Sequence, residues 1–314
     1  MNVITENEAL STFCVRAARH PFVAVDTEFL RERTFWPQLC LVQLATPDEE
    51  AIVDPLADGL DLKPLLQLMA DEAVVKVFHA ARQDVEIFYK LTGGTPQPLF
   101  DTQVAAMVCG FGESVGYDTL VSKLTGARID KSQRFADWSA RPLRDKQLAY
   151  ALSDVTHLRD VYPMILDRLE DGGRADWVAE EMAALADPAL YARPPEDAWR
   201  RLKVRGGDRR FMARVKALAA WREETAQTKD VPRSRVVRDE TLIDVAANAP
   251  TDSAALSRAR GVTKGLAEGR YGQEMLAVLA DAAATPEDAL PAVEDKPIVN
   301  GAGPLGALLQ KNLE

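Results

Sequence analysis

The run FVAVDTEFL at 22–30 constrains the fold more than any other stretch. Four apolar residues lead into Asp26 and Glu28, which are two positions apart. Side chains at that spacing on a strand point to one face, so the pattern predicts a strand whose end carries two neighbouring carboxylates. Such a pair repels unless a cation lies between them. The chain must either leave that strand end in water or build an acidic pocket around it.

Two further segments carry acids in comparable places. KVFH reads as a strand running into a helix at 80–91, with Asp84 one turn in. A carboxylate there is also favoured by the helix dipole alone. In QLAYALSDVTHL, Tyr150 and Asp154 are four apart and share one helical face. A divalent metal accounts for all four acids together, since hard cations choose carboxylate oxygen. Cys14, Cys40 and Cys109 lie scattered in apolar contexts. They form no zinc cluster with histidine and read as small buried residues of a reducing compartment.

Periodicity predicts a helix over 5–19, then strands at 21–28 and 38–46. The link between those strands is too short for a helical crossover, so they pair antiparallel in a mixed sheet. EEAIVDP is a third strand, KVFH a fourth and PLFDT a fifth. Helices are expected at 62–70, with Pro64 in its first turn, at 80–91, stopped by Thr92-Gly93-Gly94, and at 102–109 and 117–124. The longest runs from 144 to 170 on a stripe from Leu148 to Leu169, with Pro163 expected to kink or break it. Residues 1–190 thus read as one α/β domain. DPALYARPPED at 187–197 reads as a linker, and 199–285 as an all-α bundle. Residues 286–314 read as a second linker and the start of a further helical unit. No apolar run is long enough to span a bilayer, and MNVITENEALSTF does not resemble a secretory leader, so a cytoplasmic protein is expected.

The net charge of −10 argues against a polyanionic partner, but it is unevenly spread. From Arg200 to Arg238 thirteen Lys or Arg face four acids, a local balance of +9, leaving −19 elsewhere. That asymmetry marks either a nucleic-acid footprint or a solvated basic face.

Strand-end Asp-x-Glu, a strand-to-helix Asp and Tyr-x-x-x-Asp on a late helix, in that order, resemble the DEDD superfamily of 3′–5′ exonucleases, in its tyrosine branch. VDTEFLRERTFWPQLCLVQLA, HAARQDVEIF and KSQRFADWSARPLRDKQLAYALSDV are most similar to the ribonuclease D family. The basic helical region resembles an HRDC domain. One departure is Ala80, four residues before Asp84, where many superfamily members carry Asn. The resemblance implies an RNase H-like exonuclease domain and two Mg²⁺ or Mn²⁺ ions held by Asp26, Glu28, Asp84 and Asp154. Tyr150 would orient the attacking water, because a free phenol with a pKa of ~10 is a poor base.

Substrate contacts are expected from Phe29 beside the terminal base, from His79, and from Gln133, Trp138 and Arg141 in the loop before the catalytic helix. Arg201, Lys203, Arg205, Arg209 and Arg210 would track a backbone. Each has a plain alternative as a packed or solvated residue. The resemblance implies an exoribonuclease that releases nucleoside 5′-monophosphates from the 3′ ends of structured RNA, tRNA precursors included. The same chemistry on DNA, and an inactive nuclease fold that only binds RNA, remain as alternatives.

Overall fold

The computed structural model describes residues 3–204 and 206–292. Arg205 and the expected helical start near 304–314 lie outside the described residues. The chain divides into two compact units, Met1–Arg193 with Gln227–Pro232, and Pro194–Ala226 with Arg233–Glu314.

The first unit is built on six strands: β1 (Val3–Ile4), β2 (Phe22–Leu30), β3 (Gln38–Ala45), β4 (Glu50–Val53), β5 (Val75–Phe78) and β6 (Leu99–Asp101). Their order is β1-β4-β3-β2-β5-β6. β2 pairs antiparallel with β3 and parallel with β5, giving the mixed sheet that the short 31–37 link requires. The helices of this unit are α1 (Asn7–Ala17), α2 (Lys63–Ala70), α3 (Arg82–Thr92), α4 (Thr102–Val108), α5 (Tyr117–Thr125), α6 (Asp145–Asp171) and α7 (Ala175–Leu185). Period-2 alternation along β2 divides them into two layers. Val23 and Val25 pack with Leu10 and Phe13 of α1, Leu65 of α2 and Val85 of α3. Phe22 and Ala24 pack on the opposite face with Leu120 of α5, Val155 and Leu158 of α6, and Met182 of α7.

Three local features bear on the site. The β2–β3 register shifts between Glu28 and Phe29: Glu28 faces Leu41, Phe29 faces Leu39, and Cys40 is passed over. A bulge of this kind bends the strand and re-aims a side chain. At the β5–α3 junction Ala80 adopts φ 59°, the left-handed region in which Asn is enriched. The N–H groups of Ala80 and Ala81 both donate to the Asp101 carboxylate at 2.9 Å, which holds the turn. Finally, α6 runs unbroken through Pro163, contrary to a break. Pro163 is exposed, so the carbonyl deprived of its donor is on the side where water can serve it.

The second unit holds α8 (Arg209–Lys229) as far as Ala226, together with α9 (Arg233–Val236), α10 (Asp239–Asn248), α11 (Ser253–Leu256), α12 (Lys264–Glu268) and α13 (Arg270–Ala283). Val215, Leu218, Leu242, Val245, Leu256 and Met275 are among its buried residues. Much of the basic stretch is engaged inside it. Arg209 donates to the carbonyl of Leu290, Arg210 to those of Ala283 and Thr285 and to Glu287, and Arg214 to that of Ala246. Buried Arg222 pairs with Asp239, and buried Glu223 with Arg233 and Arg201. Arg209 and Arg210 therefore hold helix ends and the chain after α13. Arg201 has a carboxylate partner, and Lys203 is exposed.

Candidate active site

β2 delivers Asp26 and Glu28 to the face covered by α6, and α6 delivers Tyr150 and Asp154 to the same place. Asp26, Glu28 and Asp154 each offer an oxygen, and the three oxygens lie within 4.8 Å of one another. Asp84 approaches from the other side of the sheet. It rides on α3 and accepts a hydrogen bond from the Thr27 hydroxyl, whose side chain shares a face with Val25. Asp84 is thus adjacent to Asp26 but outside the group of three.

The electrostatics are those of acids crowded without a counter-charge. Among the described residues no lysine or arginine forms an ion pair with any of the four. Burial, then repulsion from Asp154, raises Asp26 well above the ordinary carboxylate range. Burial, then the charge of Asp26, raises Asp84 likewise. Glu28 is pushed up to about 9 by burial and its three acidic neighbours. Asp154 is pushed up to about 7 by burial, against a hydrogen bond from Tyr150 that favours its charged form. Burial first and the surrounding acids second raise the Tyr150 phenol, which therefore keeps its proton. Three converging carboxylate oxygens with no basic partner match the donor set of a hard divalent cation.

A cavity of about 360 Å³ opens onto this cluster. Besides the acids and Tyr150 it is lined by His79, Tyr117, Asp118, Lys131 and Arg134. The Tyr117 hydroxyl donates to the carbonyls of Ser153 and Asp154, fixing the turn of α6 that carries the last acid. Lys131 pairs with Asp118 at 2.7 Å across the mouth. Beside them Phe135 is 92% exposed, with the Arg134 guanidinium over its ring. Tyr117 and Phe135 are missing from the residues singled out in the sequence. An aromatic and basic cluster in RFADW was the available signal.

The other expected contacts fall differently. Trp138 is 2% exposed and stacks on Tyr150, with 6.0 Å between centroids. Arg141 forms a two-bond pair with Asp54 and donates to the carbonyls of Cys40, Trp138 and Ala140. Trp138 and Arg141 thus brace the loop and are not among the residues that line the cavity. His79 lines the cavity, but its Nε2–H donates to the Val115 carbonyl and its Nδ1 lies 3.0 Å from Thr102 Oγ1. Burial lowers its pKa, so it is neutral and offers no cation to phosphate. Phe29 is half-buried after the bulge, and Gln133 is half-buried near the mouth, 3.4 Å from Arg144.

A mixed sheet with a carboxylate cluster at the end of β2 and on α6, followed by a helical bundle, defines a 3′–5′ exonuclease joined to an HRDC module. A family model described as 3′–5′ exonuclease matches residues 1–170, and an HRDC domain model matches 211–279. The chain is 58% identical over 289 residues to ribonuclease D of Acidiphilium cryptum, covering 92% of this chain and 74% of that one. The crystal structure of Escherichia coli RNase D, an exoribonuclease involved in structured RNA processing, superimposes with a TM-score of 0.84 at 33% identity, over 100% of this chain and 83% of that chain. Brucella melitensis NrnC with bound Mg²⁺ matches with a TM-score of 0.52 at 26% identity, over 66% of this chain and 96% of that one. The chain belongs to the ribonuclease D family of 3′–5′ exoribonucleases.

Proposed function

We propose that this protein trims the 3′ ends of structured cytoplasmic RNA, tRNA precursors among them, one nucleoside 5′-monophosphate at a time. The observation that carries the reading is the convergence of Asp26, Glu28 and Asp154 within 4.8 Å without a basic partner. These residues, with Asp84 beside Asp26, would hold two Mg²⁺ or Mn²⁺ ions. Such ions would supply Lewis acidity toward the phosphate and would make hydroxide available near neutral pH. Tyr150, kept protonated, orients the attacking water through its hydroxyl. Arg134 neutralises a backbone phosphate at the cavity mouth, and Phe135 and Phe29 give bases a surface to stack on. Lys131 adds charge once released from Asp118.

Under the same reading, residues 1–190 act as the exonuclease domain and 199–285 as the helical module that engages RNA. Arg201, Lys203 and Arg205 are its backbone contacts.

The test is release of mononucleotides from a 3′-labelled tRNA precursor, with a DNA strand of matched sequence in parallel, with and without chelator. Release from RNA that needs Mg²⁺ or Mn²⁺, and that Asp154→Asn abolishes while binding persists, is expected. Equal or faster release from DNA would move the substrate to DNA. No release with either metal would leave an RNA-binding scaffold.

A further inference from the structure

Gln43 lies on β3, fully buried, and neither its amide nitrogen nor its amide oxygen has a hydrogen-bond partner. Its neighbours on this face of the sheet are apolar with one exception. Leu41 and Ala45 flank it along the strand, and Ile52 faces it from β4. α6 covers this side of the sheet through Ala151, Leu152 and Val155. The exception is Asp26, which faces Gln43 directly across the β2–β3 ladder. Directly opposed residues have Cβ atoms about 4.5–5.5 Å apart on one face, so the amide is within reach of that carboxylate. A buried amide with no partner costs about 1–3 kcal/mol relative to an apolar residue of the same shape. Leucine would suit this core position better unless the amide serves the site next to it.

We infer that Gln43 is a positioning residue for Asp26. Resting on the reading of the carboxylate cluster as a metal centre, the inference assigns the Gln43 Nε2–H as donor to the Asp26 oxygen that faces the sheet when the acid is charged. The bond fixes the direction of the remaining lone pairs toward the cavity. Groups of this kind orient carboxylate ligands, and their loss typically weakens metal affinity 10–100-fold. The oxygen of the amide is left to accept from a trapped water or to remain unpaired.

The experiment compares full-length wild type, Gln43→Leu and Gln43→Met by calorimetric Mn²⁺ titration and by thermal unfolding in chelator. Both variants are expected to unfold in chelator at or above the wild-type temperature, since an unpaired amide has been removed. Both are expected to bind Mn²⁺ about tenfold more weakly, with a smaller metal-induced rise in unfolding temperature and an unchanged KM for RNA. Wild-type Mn²⁺ affinity in either folded variant overturns the role of Gln43 and leaves the metal centre standing. Failure of both variants to fold in chelator overturns it as well, because the amide would then be structural. A wild type that binds no Mn²⁺ overturns the metal centre itself.

Discussion

The Trp138 indole stacks on the Tyr150 ring, with 6.0 Å between centroids and 29° between planes. Through this pair the loop ahead of α6 fixes the direction of a phenol on α6. Trp138→Ala removes a buried ring, at a cost of about 3–5 kcal/mol, and frees Tyr150 to rotate. At temperatures where the variant is folded, kcat is expected to fall about tenfold with little change in KM. Trp138→Phe should recover most of the rate. Steady-state kinetics beside urea melts check this, and an unchanged kcat in folded Trp138→Ala refutes it.

Arg141 and Asp54 form a partly buried pair with two hydrogen bonds, at 2.7 and 2.6 Å. Arg141→Ala strands the Asp54 carboxylate and is expected to cost about 3 kcal/mol. Arg141→Lys should recover little, because an ammonium cannot reproduce the planar fork. The KM for RNA of the folded variant should match wild type. A raised KM with unaltered stability would restore Arg141 as a substrate contact.

Metal-free protein should lose stability as pH rises. Glu28 and Asp154 are held at about 9 and about 7 in the fold, against roughly 4.3 and 3.9 for such groups in an unfolded chain. The folded state then binds more protons than the unfolded one, so stability is fullest below about pH 4 and declines toward pH 9. In chelator the urea midpoint is expected to fall between pH 6 and 9. Mg²⁺ should flatten that slope, and so should Asp154→Asn. A slope indifferent to both would show that these acids are not the groups responsible.

Ala80 holds a left-handed backbone at φ 59°, a conformation that costs a non-glycine residue on the order of 1 kcal/mol. Ala80→Asn should raise the unfolding temperature by a few degrees without altering kcat, since both N–H groups at the turn remain bonded to Asp101. A lowered temperature would show that the turn is not what limits stability there.

What could be read in the chain follows from how local each signal is. The apolar run ending in Asp26 and Glu28 placed β2 and its acids, and the short link to β3 dictated the antiparallel pairing. The stripe along 144–170 placed Tyr150 and Asp154 on one face of α6. β1 has two residues and so no period to read, and α7 was not singled out in the stretch after α6. The roles of Trp138 and Arg141 depend on partners far along the chain: Asp54 is 87 residues from Arg141. For the same reason the charge count over 200–238 did not show that Arg209, Arg210 and Arg214 are engaged by backbone carbonyls. The bulge that passes over Cys40 leaves no mark in composition, yet it sits at Glu28 and turns the Cys40 carbonyl to Arg141.

Asp84 and Asp154 belong to helices on opposite faces of one sheet, each fastened to its own apolar layer. The reactive centre is therefore a seam stitched through the sheet from both sides. Slackening of either layer pulls one acid away from the others while most of the fold persists. Heat should silence such an enzyme before it melts it.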